Sequence, residues 1–285
     1  MKTLLVPTEP NDSMRSTLTT ALLVAKTFGS HLEGFAVRVS VPTVVAMDVA
    51  PSASLAFFEE ENAEAARQSR DLFEQFMREN AVPAAPPAGT PRLPQTAPSW
   101  GWLDDAPEGD NFVGHYGRIF DLIVMGRPST DPQGPHMSTF EAGLFESGRP
   151  VLLAPSKPPA AVGRHILVAW NGSTEQARAT AFAMPFLARA EHVTILTVEG
   201  AVVPGPTAEQ LAGNLALHGI KPNLLTSKGG DNRTAGPTIL DHAQRLGCDL
   251  IVKGAYTQSR LRQMIFGGTT RHILTHAEIP VFTAH

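Results

Sequence analysis

Cysteine is almost missing from this 285-residue sequence: Cys248 is the only one. An internal disulfide is therefore excluded, no cysteine cluster can hold a metal, and a small buried thiol just before a strand is the expected role. Basic charge is equally scarce. With 23 Lys and Arg against 27 Asp and Glu, the formal net charge is −4 and the pI is near 6.2. Such a chain presents no positive field to a phosphate backbone, and no local basic patch replaces it, so nucleic acid is not an expected partner. Long apolar runs are absent too. The first apolar residues give way to Pro7 and Glu9, as in a first strand rather than the core of a signal peptide, and no run reaches the length of a membrane span. A cytoplasmic location is the expectation. Asn171-Gly172-Ser173 and Asn232-Arg233-Thr234 match the glycosylation sequon but carry no meaning without secretion.

What the sequence does contain is a repeat. Asp121-Leu122-Ile123-Val124-Met125-Gly126 recurs as Asp249-Leu250-Ile251-Val252-Lys253-Gly254, and each copy leads to a short apolar segment, Pro150-Val151-Leu152-Leu153 or Pro280-Val281-Phe282-Thr283. Upstream, Leu4-Leu5-Val6-Pro7 corresponds to Ile166-Leu167-Val168-Ala169. A hydrophobic content of 42% supplies a core for each copy. The repeat implies two α/β domains in one chain, an intramolecular pseudo-dimer, placed at 1–157 and 164–285 with a short proline-rich join over Pro155–Gly163.

The second copy reads more cleanly. Strands are expected at Ile166–Trp170, Val193–Val198, Asn223–Ser227, Leu250–Lys253 and Pro280–Thr283. Ser173 with Gln176, and Thr207 with Gln210, have the spacing of capping boxes that start helices. Gly219 suits the left-handed residue after the second helix, and Gly236-Pro237 places proline in a first turn, where its missing N–H is harmless. A further helix is expected over Thr270–Ala277. Strands alternating with helices at this spacing give doubly wound parallel-core sheets of five strands, with ligands beyond the strand C-termini. The first copy adds an irregular stretch over Val41–Ser54, a long amphipathic helix over Leu55–Asn80 and a proline-rich segment over Pro83–Pro98, all outside the common sheet; the added loops read as harmless surface insertions or as a lid. Trp100 and Trp102 share one face of a strand, where core packing explains them.

One constellation points to a ligand. After the fourth strand of the second copy comes Gly254-Ala255-Tyr256-Thr257, and nine residues later Gly267-Gly268-Thr269-Thr270 opens a helix. Glycines let a backbone approach closely, and free N–H groups at a helix start favour an anion. In this feature and in the repeat, both halves resemble universal stress protein domains of the UspA type, and the chain resembles the tandem bacterial form. That resemblance implies Rossmann-like domains related to adenine nucleotide alpha hydrolases, stress-response function, and fifth strands that pair between domains, within one chain or in a homodimer. It also implies a loop of Gly, two residues, Gly, nine residues, Gly, then Ser or Thr, with an Asp after the first strand. Gly254 and Gly267 match it; Thr257 replaces the second glycine, Gly268 the hydroxyl residue and Asn171 the Asp.

The ligand implied is ATP or AMP, with Mg accompanying ATP, or another small anion, bound in the second domain only. Its candidate contacts are Ala169, Trp170, Asn171, Lys253, Gly254, Thr257, Arg260, Gly267, Gly268, Thr269 and Thr270. The first domain has Gly126-Arg127-Pro128, which removes an amide donor, and Pro7-Thr8-Glu9 in place of the Asp turn; it reads as a structural partner. Arg127, Arg260, Arg262 and Arg271 read as ordinary surface arginines or as anion contacts, and Lys253 is an odd ending for a core strand. His272 and His276 stand i, i+4 on a helix without the glutamate or third ligand of a zinc motif. No nucleophile elbow, cysteine nucleophile or carboxylate pair is evident, so nothing demands catalysis. The expected function is a stress-response small-molecule binding and protein-interaction module; the rivals are a weak ATPase or nucleotide-dependent ligase, and a scaffold with an empty cleft.

Overall fold

The computed structural model describes residues 1–38, 40, 52–86, 96–129, 134–228, 234–256 and 268–285. They form two compact units, one of residues 1–125 and 129–149, the other of residues 126–128 and 150–285.

In the first unit the order is β1 (Thr3–Thr8), α1 (Met14–Phe28), β2 (His31–Ala36), α2 (Ser52–Glu79), β3 (Ser99–Leu103), α3 (Asn111–Gly117), β4 (Leu122–Gly126) and α4 (Met137–Glu146). The strands lie in the order β3-β2-β1-β4, all parallel. Leu4, Leu5, Leu122, Ile123 and Val124 are fully buried, as they must be in a parallel sheet covered on both faces. Helix α2 lays Phe73 against Trp100 and Trp102, with ring centroids 6.0 and 5.3 Å away, so the two tryptophans pack the core as their spacing implies. Gly34 is needed beneath that ring, because a Cβ there would lie 2.7 Å from it.

Two first-half expectations change. Residues 52–54 begin α2 rather than continuing a loop, while 41–51 lie outside the described residues. The proline-rich segment is not wholly outside the sheet: Ala84 bridges Trp100, with the Ala85 amide donating to the Trp100 carbonyl and the Trp100 amide to that of Pro83. An edge strand otherwise leaves a row of unpaired backbone groups, which this contact covers.

The second unit contains β5 (Val151–Ala154), β6 (His165–Ala169), α5 (Thr174–Leu187), β7 (His192–Val198), α6 (Ala208–Leu217), β8 (Asn223–Ser227), α7 (Ala235–Arg245), β9 (Leu250–Gly254), α8 (Thr269–His276) and β10 (Val281–Ala284). Five strands run parallel in the order β10-β9-β6-β7-β8, and β5 joins β10 antiparallel, Val151 opposite Thr283 and Leu153 opposite Val281. The fifth strands of the two copies therefore pair within one chain.

The local signals act as the spacing implies, with one exception. Thr207 and Gln210 form the full capping box of α6, and Gly219 adopts φ +78°, the left-handed conformation that a Cβ would penalise. Pro237 lies in the first turn of α7. Ser173 caps α5 by accepting the Gln176 amide, but the Gln176 side chain does not complete the box. It turns inward to the sheet instead.

The repeated Asp now has a physical role. The Asp121 carboxylate accepts the amides of Lys2 and Thr3 at the start of β1. Asp249 accepts those of Gly163, Arg164 and His165 at the start of β6, at 2.9 to 3.1 Å. Each carboxylate supplies acceptors for strand-entry amides that the ladder leaves over, which ties the fourth strand of each repeat to its first.

Candidate functional site

In a doubly wound sheet the ligand crevice lies where the strand order reverses, outside the strand C-termini. In the second unit that point falls between β6 and β9, and the first turn of α5 sits directly over it. Asn171 follows β6 and folds back on itself, its Oδ1 accepting the Ser173 amide at 3.2 Å. Next in the chain, Gln176 is almost fully buried; its Oε1 accepts the Gly254 amide at 2.7 Å and its Nε2 donates to the Val252 carbonyl at 3.3 Å. A Cβ on Gly254 would meet the Gln176 nitrogen at 2.3 Å and the Glu175 carbonyl carbon at 2.5 Å. The glycine is thus required by backbone approaching backbone, and its N–H is already bonded.

The remaining described candidates lie at the end of β6 and at the start of α8. Ala169 ends β6 and is buried, and Trp170 is buried with its Nε1 donating to the Pro206 carbonyl at 2.8 Å. Gly268 precedes α8, and Thr269 and Thr270 begin it, all three half-buried. Thr257, Arg260, Arg262 and Gly267 lie outside the described residues. Tyr256, between β9 and that stretch, has φ +59°, a left-handed conformation that costs about 1 kcal/mol or more in a residue with a side chain.

Lys253 resolves the oddness of its position. Only 7% exposed, it donates from Nζ to the Gly254 carbonyl at 2.7 Å, so its head curls over the C-terminal end of β9. Burial pulls the ammonium down to about 8, partly offset by the carboxylate of Glu175. Glu175 lies in the first turn of α5, where Thr174 donates to its Oε1 at 2.9 Å. Its Oε2 is buried and has no hydrogen-bond partner among the described residues. No ion pair within 4.0 Å joins it to Lys253. Sequence reading singled out Lys253 but missed Glu175 and Gln176, which announce themselves only as residues of a helix cap.

The corresponding crevice of the first unit holds two acids, where the second holds Lys253 beside Glu175. Glu9 follows β1, Asp110 precedes α3, and burial followed by repulsion from Asp110 raises the Glu9 carboxyl to about 7. Asn11 Nδ2 donates to Glu9 at 3.2 Å, and Thr139 in α4 donates to Asp110 at 2.6 Å. This carboxylate pair was not expected from the sequence, since its members are separated by most of the unit. Arg127 donates to the Ala277 carbonyl and to Ser156, and burial depresses its guanidinium. It is half-buried structure rather than a solvated surface arginine.

Elsewhere, His272 and His276 stack at 4.1 Å between centroids, and His276 Nδ1 lies 3.0 Å from the His272 carbonyl oxygen. The described residues contain no group of three or more His, Cys, Asp or Glu suited to a metal. Cys248 is buried, and desolvation raises its thiol to about 11, which leaves it unreactive at neutral pH. No described helix is long and apolar enough to cross a membrane.

Comparison with known proteins gives these features a context. Residues 227–285 match the universal stress protein family. The stress response protein NhaX of Bacillus subtilis (strain 168) is 39% identical over 44 residues, an alignment covering 15% of this chain and 26% of that protein. The chain thus spans about a quarter of that relative's length. Among solved structures, a universal stress protein from Archaeoglobus fulgidus DSM 4304 superimposes with a TM-score of 0.69 at 16% identity, over 99% of this chain and 97% of the other. A protein of Pseudomonas aeruginosa UCBPP-PA14, described as a universal stress protein, gives 0.54 at 17% identity over 100% and 93%. The fold of the whole chain is that of these proteins.

Proposed function

We propose, on the premise that residues 227–285 belong to the universal stress protein family, that this chain is a cytoplasmic stress-response module whose second domain binds an adenine nucleotide or another small anion. The domains are taken as 1–157 and 164–285, and the ligand as ATP, with Mg, or AMP. Binding and release, rather than turnover, would carry the signal to protein partners.

The observation that carries this reading is a buried cation in the second crevice, Lys253 beside Glu175, where the first holds two acids. An anion entering the second unit meets the buried ammonium of Lys253, whereas in the first it would meet Glu9 and Asp110. The site is assigned to Ala169, Trp170, Asn171, Lys253 and Gly254, continuing through Thr257, Arg260, Gly267, Gly268, Thr269 and Thr270. Gly254 serves there by close packing and not as an amide donor, so the phosphate contact passes to neighbouring groups. Chromatography of nucleotide released from freshly purified protein, followed by calorimetric titration with AMP and ATP, tests the assignment. One site per chain is expected; two equivalent sites would overturn the asymmetry.

A second reading, the scaffold, is favoured by one observation: the Gly254 amide is bonded to Gln176 and the space above the glycine is filled. Absence of any nucleotide binding at millimolar ligand would establish it.

A further inference from the structure

We propose that the pocket at the strand-entry end of the second unit, between Lys157 and Glu278, takes a small zwitterion with an apolar body, an apolar α-amino acid being the simplest case. It lies at the opposite end of β9 from Gly254, so it is separate from the crevice under α5 and independent of the nucleotide reading.

The pocket has a volume of about 460 Å³, within the ~300 to 1,000 Å³ common for small-molecule sites. Pro158, Pro159, Ile279 and Pro280 give it an apolar wall, and its ionisable lining is Lys157, Arg164, His165, Asp249 and Glu278. Most of these groups are already matched. The Asp249 carboxylate receives the amides of Gly163, Arg164 and His165. Arg164 donates to both oxygens of Glu191, at 2.8 and 3.0 Å, and His165 Nε2 stands 3.6 Å from the same carboxylate. Lys157 and Glu278 differ: both are exposed, and neither joins an ion pair within 4.0 Å among the described residues.

Arg127 fixes that arrangement. Its guanidinium donates to the Ala277 carbonyl and to the Ser156 hydroxyl, which clips together the two segments whose next residues are Glu278 and Lys157. The field of Glu278 reaches this guanidinium. Two opposite charges are thus held on one rim through a third residue rather than bonded to each other. A simple anion would gain Lys157 but face Glu278, and a simple cation would gain Glu278 but face Lys157. A zwitterion meets both, its carboxylate at the ammonium and its ammonium at the carboxylate, while an apolar side chain covers the proline and isoleucine wall.

Titration of the full chain with L-leucine, followed by amide chemical shifts, is the test. Saturable binding below about 10 mM is expected, with the largest shifts at Gly247 and His165 and none at Gly254. Isocaproate lacks the ammonium, isoamylamine lacks the carboxylate and glycine lacks the apolar body; each should bind about threefold to fivefold more weakly than leucine, the size of one exposed ion pair. K157M should erase the advantage of leucine over isoamylamine, and E278Q its advantage over isocaproate. Both positions are exposed, so the variants keep the fold. Leucine binding no more tightly than either single-charge analogue, unchanged leucine affinity in both variants, shifts at Gly254 instead of Gly247, or no saturable binding at about 10 mM would each overturn the proposal and leave the nucleotide reading untouched.

Discussion

The crevice between β6 and β9 and the crevice between β1 and β4 occupy the same place in two copies of one topology, yet the first-named holds a buried lysine and the other a pair of acids. What the copies share is scaffold. Asp121 and Asp249 perform one task, accepting the amides at the entry of the neighbouring strand, and the Leu-Ile-Val that follows each is the buried centre of a parallel sheet. What they do not share is the chemistry at the strand ends, where Met125 answers to Lys253 and the Pro7-Thr8-Glu9 turn to Ala169-Trp170-Asn171. Duplication preserves the residues that close the fold and leaves the crevice free to change.

The sharpest way to break this comparison is to fill the contact that shapes the second crevice. Gly254→Val forces a branched side chain into the first turn of α5, where even a Cβ is too close, and should destabilise the chain by about 3 kcal/mol or more in denaturant unfolding. Gln176→Ala at the same contact strands the Gly254 amide in a buried place and should cost about 2 kcal/mol. Near-native stability for the valine variant would mean that α5 stands off the sheet and that the second crevice is as open as its sequence suggests.

The repeated aspartates allow the two units to be weighed against each other. Asp249 accepts three strand-entry amides and Asp121 two. Asp249→Ala should therefore cost about 2 kcal/mol and Asp121→Ala somewhat less, since a hydrogen bond to a charged group is worth a net ~1.5 to 3 kcal/mol and water reaches these amides in part once the carboxylate is gone. Equal, negligible losses in chemical unfolding would remove the explanation given for the repeat.

Opposite charges imply opposite pH responses. The Glu9 carboxyl sits near 7 in the folded chain against 4.5 without the fold, so between those values the unfolded chain gives up a proton that the folded chain keeps. Stability falls as pH rises through that window. Glu9→Gln should flatten the fall and raise stability at pH 8 by about 1.5 kcal/mol, a figure discounted for partial exposure. Lys253 acts in reverse: its value is lowered to about 8 from 10.5, so stability should rise with pH between them. Unfolding curves from pH 5 to pH 10 check both slopes, and a Glu9→Gln profile parallel to wild type would show that neither burial nor Asp110 raises the Glu9 carboxyl.

The fold was legible where one pattern governs many residues. The strands and most helix starts follow from apolar runs and caps, and Asn223–Ser227 falls where the sequence places it. Less was legible of the site, because its decisive contacts join residues far apart in the chain by short polar links: Gln176 to Gly254, Glu9 to Asp110. Glycine is the clearest case. Its missing Cβ permits either a phosphate or a helix to come close, and a sequence motif does not distinguish them. The spacing Ser173 to Gln176 likewise reads as a capping box whether the glutamine returns to the helix start or turns to the sheet.

That last ambiguity supplies the mildest test, through the two glutamines. Gln210 completes its box on the exposed start of α6, accepting the Thr207 amide at 2.9 Å while Thr207 Oγ1 accepts the Gln210 amide at 3.3 Å. Thr207→Ala removes the cap and should cost about 1 kcal/mol, because an orphan helix amide is left to water. Gln210→Ala frees an amide that water reaches easily, and a few tenths of a kcal/mol is the expected loss. Gln176→Ala therefore has to exceed Gln210→Ala several-fold, although the sequence places both at the same position of the same motif. If denaturant unfolding finds the two glutamine variants equal, Gln176 is an ordinary cap residue, the Gly254 amide has no essential partner, and the glycine loop regains a donor for phosphate.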